Sequence, residues 1–306
     1  MSTLDWHSKR DNFDHQRVPE MVRDLWGGDV DTLQLVGQAY NIVYRFEANG
    51  VGFYLRIGHV VLQPLNKVRH VLHFLRFLAS HDVPVGRPVP SVNGHYLETF
   101  DDGYYAAAQT EAVGAEMGLG HTDVSVYEAW GQSLGKLHAV SRVYVPSADI
   151  DYTFPTVQQF WKNIEHTVQT QAPASVRAVY DELTAYIDSL PAHDYGLIHG
   201  DYRPGNVIWD GTTAYTVDFD EPNYHWYVAD VCRALLEFHD RPLAQRRAFR
   251  EAFMRGYATE HRIDDYWVEQ LTRFAQWRGL LMYAWDLQEG NSGQWGLDWI
   301  LKPIAW

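Results

Sequence analysis

Residues 197–209 read Leu-Ile-His-Gly-Asp-Tyr-Arg-Pro-Gly-Asn-Val-Ile-Trp, and residues 214–220 read Ala-Tyr-Thr-Val-Asp-Phe-Asp. Two β-prone apolar runs thus bracket a carboxylate, Asp201, a carboxamide, Asn206, and a second carboxylate, Asp218. Asp201 stands five positions before Asn206, with Pro204 and Gly205 shaping the loop between them, and Asp218 ends the next run. Phosphoryl transfer asks for these parts. A carboxylate must lie near the acceptor hydroxyl, hard oxygens must hold Mg²⁺ on the nucleotide phosphates, and a rigid loop must keep them aligned. One carboxylate and one amide oxygen suffice as the protein's share, because Mg²⁺ retains waters and takes phosphate oxygens. Singly, a His-Gly-Asp turn or an Asp-Phe-Asp strand end is a common surface feature; jointly they specify a site.

The elements that must position this loop follow from periodicity. Val18, Met21, Val22 and Leu25 at helical spacing, followed by Gly27-Gly28, predict a short amphipathic helix. Strands are expected at 33–36, 42–48 and 52–57, with Asn49-Gly50 as a hairpin turn, and again at 95–100 and 104–110 around the turn Asp101-Asp102-Gly103. A helix over 68–78 stops before Pro84. Beyond residue 120 the pattern is helical over 124–141, 157–169 and 176–190. The expected class is α+β: a β-rich lobe over residues 1–113, a mainly helical lobe over 114–306, and a division near 111–120.

Composition narrows the partners. With 25 Lys and Arg against 39 Asp and Glu, the formal charge of −14 argues against a nucleic-acid footprint, and an acidic balance suits either a cationic acceptor or simple solubility. The single cysteine, Cys232, lies in the apolar run 231–236 and reads as a buried, inert thiol. Residues 1–14 are polar and no stretch is apolar enough for a membrane span, so a cytoplasmic protein is expected. Asp220, Glu221, Tyr224, Trp226 and Trp285 combine carboxylates with aromatic faces, which could hold an ammonium group. Phe274, Trp277, Leu281 and Trp285 also recur at the three and four spacing of a buried helix face. His70 and His73 are one turn apart with nothing nearby to complete a metal shell.

His199, Asp201 and Asn206 repeat the spacing of the kinase catalytic loop, and Asp218-Phe219 stands where its metal-binding Asp-Phe-Gly would. The two segments together resemble the catalytic and metal loops of the aminoglycoside phosphotransferase, choline kinase and homoserine kinase superfamily. Val36-Gly37-Gln38-Ala39-Tyr40-Asn41 resembles that family's nucleotide-covering loop, Tyr54-Leu55-Arg56-Ile57 its third strand, and Leu134-Gly135-Lys136-Leu137-His138 a helix of its second lobe. The resemblance implies a protein-kinase-like, two-lobed fold with an antiparallel N-terminal sheet. It implies an ATP-dependent (or GTP-dependent) phosphotransferase acting on the hydroxyl of a small molecule, an amino alcohol or aminoglycoside among the candidates.

By the same resemblance Asp201 is the catalytic base, Asn206 and Asp218 are the Mg²⁺ ligands, and Asp230 braces the loop, although a plain helix N-terminal acid would look alike. His199 is read as a loop-fixing hydrogen bonder. Arg56, Asn41 and the hinge residues Glu111 and Val113 are the implied nucleotide contacts. Two departures stand out: Arg56 replaces the family's lysine, and the following helix has His70-Val71-Leu72 where an acid is expected. A protein Ser/Thr kinase and a weakly catalytic nucleotide-binding regulator are the alternative readings.

Overall fold

The computed structural model describes residues 3–118, 120, 123–302 and 304–306; Met1 and Ser2 of the polar N-terminal stretch, and Leu119 of the expected division, lie outside them. The chain divides into two compact units, Met1–Val113 with Tyr144–Thr153, and Gly114–Val143 with Phe154–Trp306.

The first unit opens with α1 (Thr3–Asp11) and α2 (Val18–Trp26), followed by β1 (Asp29–Gln38), β2 (Ile42–Ala48) and β3 (Val51–His59). It continues with α3 (Leu65–Ser80), β4 (Pro88–Val89), β5 (Glu98–Thr99) and β6 (Tyr104–Thr110). The antiparallel sheet runs β1-β2-β3-β6-β4, with β5 also on β6. Asn49 and Gly50 both take positive φ, 52° and 74°, which is what a two-residue hairpin turn requires. On β2, Ile42, Tyr44, Phe46 and Ala48 alternate inward onto α1 and α2, where Trp6, Met21 and Val22 are buried. Helix α1 escaped the sequence reading because Leu4 and Trp6 are too few apolar residues, in an otherwise polar segment, to set a helical period. The strand expected over 95–100 shrinks to Glu98–Thr99, because the His95 carbonyl is turned back to accept from the Ser91 amide at 2.8 Å. Tyr144 joins the segment Tyr144–Thr153 to this unit: its ring packs on Phe74 and Phe77, and its hydroxyl meets His73 Nδ1 at 2.8 Å.

The second unit holds β7 (Ala115–Glu116), α4 (Val124–Ser141), α5 (Val157–Gln171), α6 (Ala174–Ser189), β8 (Tyr195–Ile198), β9 (Val207–Trp209), β10 (Ala214–Thr216) and β11 (Asn223–Trp226). It ends with α7 (Val228–Leu236), α8 (Leu243–Glu260), α9 (Asp265–Glu269), α10 (Leu271–Gln288) and α11 (Leu297–Leu301). Two small antiparallel ribbons, β10-β9-β7 and β11-β8, carry the loops between them. Helix α4 lies backbone to backbone on α8; a Cβ at Gly256 would come within 1.8 Å of the Glu128 carbonyl oxygen. The core spans these helices, from Trp130, Leu134 and Trp161 to Phe253, Trp267 and Leu280. Cys232 is buried within it, and burial pushes its thiol well above the ordinary range. Among the described residues no helix is long and apolar enough to cross a membrane.

Candidate active site

Strand β8 ends at Ile198, and the chain turns at once through Gly200, where φ is +89° and a Cβ would come within 2.1 Å of the Glu221 carbonyl oxygen. Glycine is therefore required there, and the sharp turn sets the direction of Asp201. The Asp230 carboxylate at the start of α7 fixes the turn from below. Its Oδ2 accepts from the His199 amide at 2.7 Å and its Oδ1 from the Gly200 amide at 2.9 Å. His138 Nε2 reaches the same Oδ2 at 3.2 Å, while its Nδ1 accepts from the Tyr257 hydroxyl at 2.8 Å. Burial works against charge on both partners. The ring and the loop amides more than offset it for Asp230, which stays a carboxylate, while burial prevails at His138, which stays neutral and donates from Nε2. Losing this carboxylate would leave two buried amides unpaired, at about 1–3 kcal/mol each.

His199 is a second tie. Its Nδ1 accepts from the Asp201 amide at 3.2 Å, so the ring donates from Nε2 to the Val217 carbonyl at 3.0 Å. That bond links the Asp201 loop to the residue before Asp218. The other link is Asn206, whose carbonyl accepts from the Val217 amide at 2.9 Å. Its Nδ2 donates to the Asp201 carbonyl at 2.9 Å and to Asp201 Oδ2 at 3.2 Å, which turns the amide oxygen the other way. Asp218 has φ +65°, a left-handed conformation that costs energy for a residue with a Cβ and clusters at functional sites. Phe219 is buried edge-on against His199 and holds the Asp218 end of the loop in place.

Asp201 itself is surrounded by cations. Oδ1 accepts from Arg233 Nε at 2.7 Å and from Arg278 Nη2 at 3.0 Å, and Oδ2 accepts from Arg203 Nε at 3.1 Å. Burial would raise its pKa, but the guanidiniums of Arg278 and Arg233 outweigh that and hold the carboxyl well below the usual range. Arg233 continues to Glu237 at 2.6 Å; Arg278 continues to the Gly200 carbonyl at 3.2 Å and to Glu221 at 3.5 Å. Behind this cluster lies a small cavity of about 20 Å³, walled by β8, β11 and α10.

A model of the phosphotransferase enzyme family matches residues 31–266. The chain belongs to this family. Amicoumacin kinase of Bacillus subtilis (strain 168) is 25% identical over 289 residues, covering 89% of this chain and 84% of that protein. A solved amicoumacin kinase in complex with AMP-PNP and Ca²⁺ superposes with a TM-score of 0.81 at 23% identity, over 92% of this chain and 88% of the other. A microcompartment-associated aminopropanol kinase gives 0.69 at 20% identity, over 94% and 93%. The α+β, kinase-like fold is shared with both.

In this phosphotransferase the sequence-derived residues are distributed as follows. Asp201, Asn206, His199 and Asp230 form one hydrogen-bonded unit, with Asp218 one residue beyond Val217. Trp285 lines the pocket, half buried, as do Phe274, Trp277 and Leu281 of the same helix face. Asp220 is half buried and is not among the pocket walls. Tyr224 and Trp226 are not walls either, because strand alternation on β11 turns Asn223 and His225 to the pocket and these two away. Trp226 is a core residue, donating from Nε1 to the Pro191 carbonyl at 2.8 Å.

In the first unit Arg56 sits mid-strand on β3, opposite Val43 and Ala107, and Asn41 is buried at the β1-β2 turn. Glu111 is committed locally: its carboxylate pairs with Arg45 at 2.8 Å and its amide donates to the Gly52 carbonyl at 2.9 Å. Val113 is exposed. Helix α3 contains no acidic residue, so the family's strand–helix ion pair has no acid on this helix.

Arg233 and Arg278 were missed by the sequence reading. Each is a lone charge inside an apolar helical run, Val-Cys-Arg-Ala-Leu-Leu and Gln-Trp-Arg-Gly-Leu-Leu. A buried guanidinium in such a run must have a carboxylate partner, and that was the available signal.

Proposed function

We infer that the protein transfers the terminal phosphoryl group of ATP or GTP to the hydroxyl of a small molecule, with Asp201 at the reacting hydroxyl. The observation that carries this reading is the direct bond from Asn206 Nδ2 to Asp201 Oδ2. With its nitrogen so engaged, Asn206 keeps an oxygen for a cation, and the Val217 amide on its carbonyl keeps it close to the strained Asp218. An amide oxygen and a carboxylate fit Mg²⁺ shared with phosphates. Among the described residues no three His, Cys, Asp or Glu side chains gather into a metal cage, so these two oxygens are the donor set proposed. When bound, Mg²⁺ offsets charge on the phosphates and holds them in line.

The chain's own residues do the remainder. The acceptor oxygen bonds to the γ-phosphorus, the bond to the β–γ bridging oxygen breaks, the nucleoside diphosphate leaves with that electron pair, and the hydroxyl proton passes to Asp201. A carboxylate kept this acidic is a weak base. Asp201 therefore mainly aligns the hydroxyl and receives the proton late, in keeping with a loose transition state. Arg233 and Arg278 hold its far oxygen and fix the direction in which Oδ2 points.

For the first unit the reading assigns nucleotide contacts to Arg56, Asn41 and the backbone of Glu111 and Val113. Arg56 brings a planar fork in place of the family's lysine. The names of the relatives, an amicoumacin kinase and an aminopropanol kinase, support an amine-bearing alcohol as acceptor. Glu221, which shares Arg278 with Asp201, offers the carboxylate for it. Incubation with γ-labelled ATP and a panel of amino alcohols, sugars and antibiotics, beside a cell lysate, tests this. Label should appear in small molecules and only where an acceptor is present. Label confined to protein, or hydrolysis independent of acceptor, would overturn it.

A further inference from the structure

Asp201 carries as many hydrogen bonds as a carboxylate accepts. Its two oxygens offer about four lone-pair directions. Four donors take them: Arg233 and Arg278 at Oδ1, and Arg203 Nε and Asn206 Nδ2 at Oδ2, the last two at 3.1 and 3.2 Å. An acceptor hydroxyl that bonds to Oδ2 is a fifth donor, so one of the four must give way. Burial decides which. The side chains of Arg233 and Arg278 are 8% and 12% exposed, and each has a further partner, Glu237 for the first and the Gly200 carbonyl with Glu221 for the second. Asn206 is buried and tied to the Asp201 carbonyl through the same nitrogen. The Arg203 side chain is 41% exposed, and among the described residues Asp201 is its one ion-pair partner.

An ion pair this open contributes little, and its long side chain gains rotamer freedom on release. The fold also leaves the guanidinium somewhere to go. A Cβ at Gly205 would come within 2.5 Å of Arg203 Nη1 and 3.2 Å of Glu116 Oε1, so both groups border the space that the bare glycine leaves open. Glu116 is exposed on β7. The bonds that hold the loop, from Asp230, His199 and Asn206, use none of the Arg203 side chain, so the guanidinium can turn toward Glu116 while they stay.

We propose that Arg203 is a positioning residue that keeps Asp201 Oδ2 occupied against water and yields it, turning to Glu116, to an alcohol held elsewhere in the site. This deepens the proposed function and rests on Asp201 being the group at the acceptor hydroxyl. Water is the competing acceptor. Its oxygen would bond to the γ-phosphorus as the bond to the β–γ bridging oxygen breaks, its proton would pass to Asp201, and inorganic phosphate and the nucleoside diphosphate would leave. A water molecule at Oδ2 has no further groups whose binding could offset the displacement of Arg203, whereas a larger acceptor has, so the displacement favours the alcohol.

With MgATP alone, ADP release by Arg203→Met should exceed that of the wild-type chain by about fivefold, the factor that roughly 1 kcal/mol gives. Arg203→Lys keeps a cation for Oδ2 and should stay within about twofold of wild type. With the panel compound that takes label most readily, Arg203→Met should lower the acceptor KM by about fivefold and change kcat less than about twofold, because a competitor for Oδ2 is gone. Glu116→Gln should raise that KM by about twofold, and an unchanged KM there overturns Glu116 as the receiving group. Melting curves show that each variant is folded. Hydrolysis by Arg203→Met that matches wild type, or that falls together with transfer, overturns the role given to Arg203 and leaves the phosphotransfer reading standing. Absence of acceptor-dependent release from the wild-type chain with every compound of the panel overturns the proposed function, and the role of Arg203 with it.

Discussion

Asp201→Asn is expected to lower turnover by about 10³-fold while nucleotide affinity changes less than about twofold. The exchange keeps the side chain's shape and one carbonyl oxygen, but it removes both the charge that aligns the acceptor hydroxyl and the site that receives its proton. It also leaves the guanidiniums of Arg233 and Arg278, 2.7 and 3.0 Å from Oδ1, without their shared anion. A lower melting temperature is therefore expected as well, and turnover must be compared well below it. Single-turnover kinetics with labelled ATP separates the effects: the chemical step should slow and calorimetric nucleotide binding should persist. Turnover within a few-fold of wild type would remove Asp201 from the reaction.

Asp218→Ala acts on the other half of the site. Magnesium-dependent nucleotide binding should fall by about 100-fold or more, a larger loss than outer-shell substitutions give because a direct oxygen donor is removed. The loop should survive, since Phe219 remains wedged against His199 and the Val217 amide and carbonyl remain bonded to Asn206 and His199. Alanine does lose the aspartate's tolerance of the left-handed backbone at φ +65°, a local cost that melting would register. Calorimetry with and without Mg²⁺ discriminates: the variant's two affinities should coincide, and a retained Mg²⁺ dependence would place the cation elsewhere.

Much of this was legible in the sequence for a definable reason. The loop from His199 to Asn206 is held by bonds that span a few residues, such as His199 Nδ1 to the Asp201 amide and Asn206 to Asp201, so spacing alone reports its geometry. The hairpin at Asn49-Gly50 and helix α4 are local in the same way. What escaped depends on contacts that spacing does not encode. Arg233 and Arg278 reach Asp201 across 32 and 77 positions. Tyr224 and Trp226 were singled out by residue type, whereas the pleat of β11 decides side and gives the pocket to Asn223 and His225. The helical repeat Phe274, Trp277, Leu281 and Trp285 left core packing and ligand contact open, and the structure shows one face serving the core and bordering the pocket together. Segment Tyr144–Thr153, which carries little periodicity, joins the first unit through the Tyr144 ring and hydroxyl.

A crystal grown with Mn²⁺ and a non-hydrolysable ATP analogue offers the most direct measurement of whether Asn206 and Asp218 share one cation beside Asp201. The account predicts an anomalous peak bonded to Asn206 Oδ1, the Asp218 carboxylate and phosphate oxygens, with Asp201 Oδ2 facing the terminal phosphate. A peak that touches neither Asn206 nor Asp218 would contradict it.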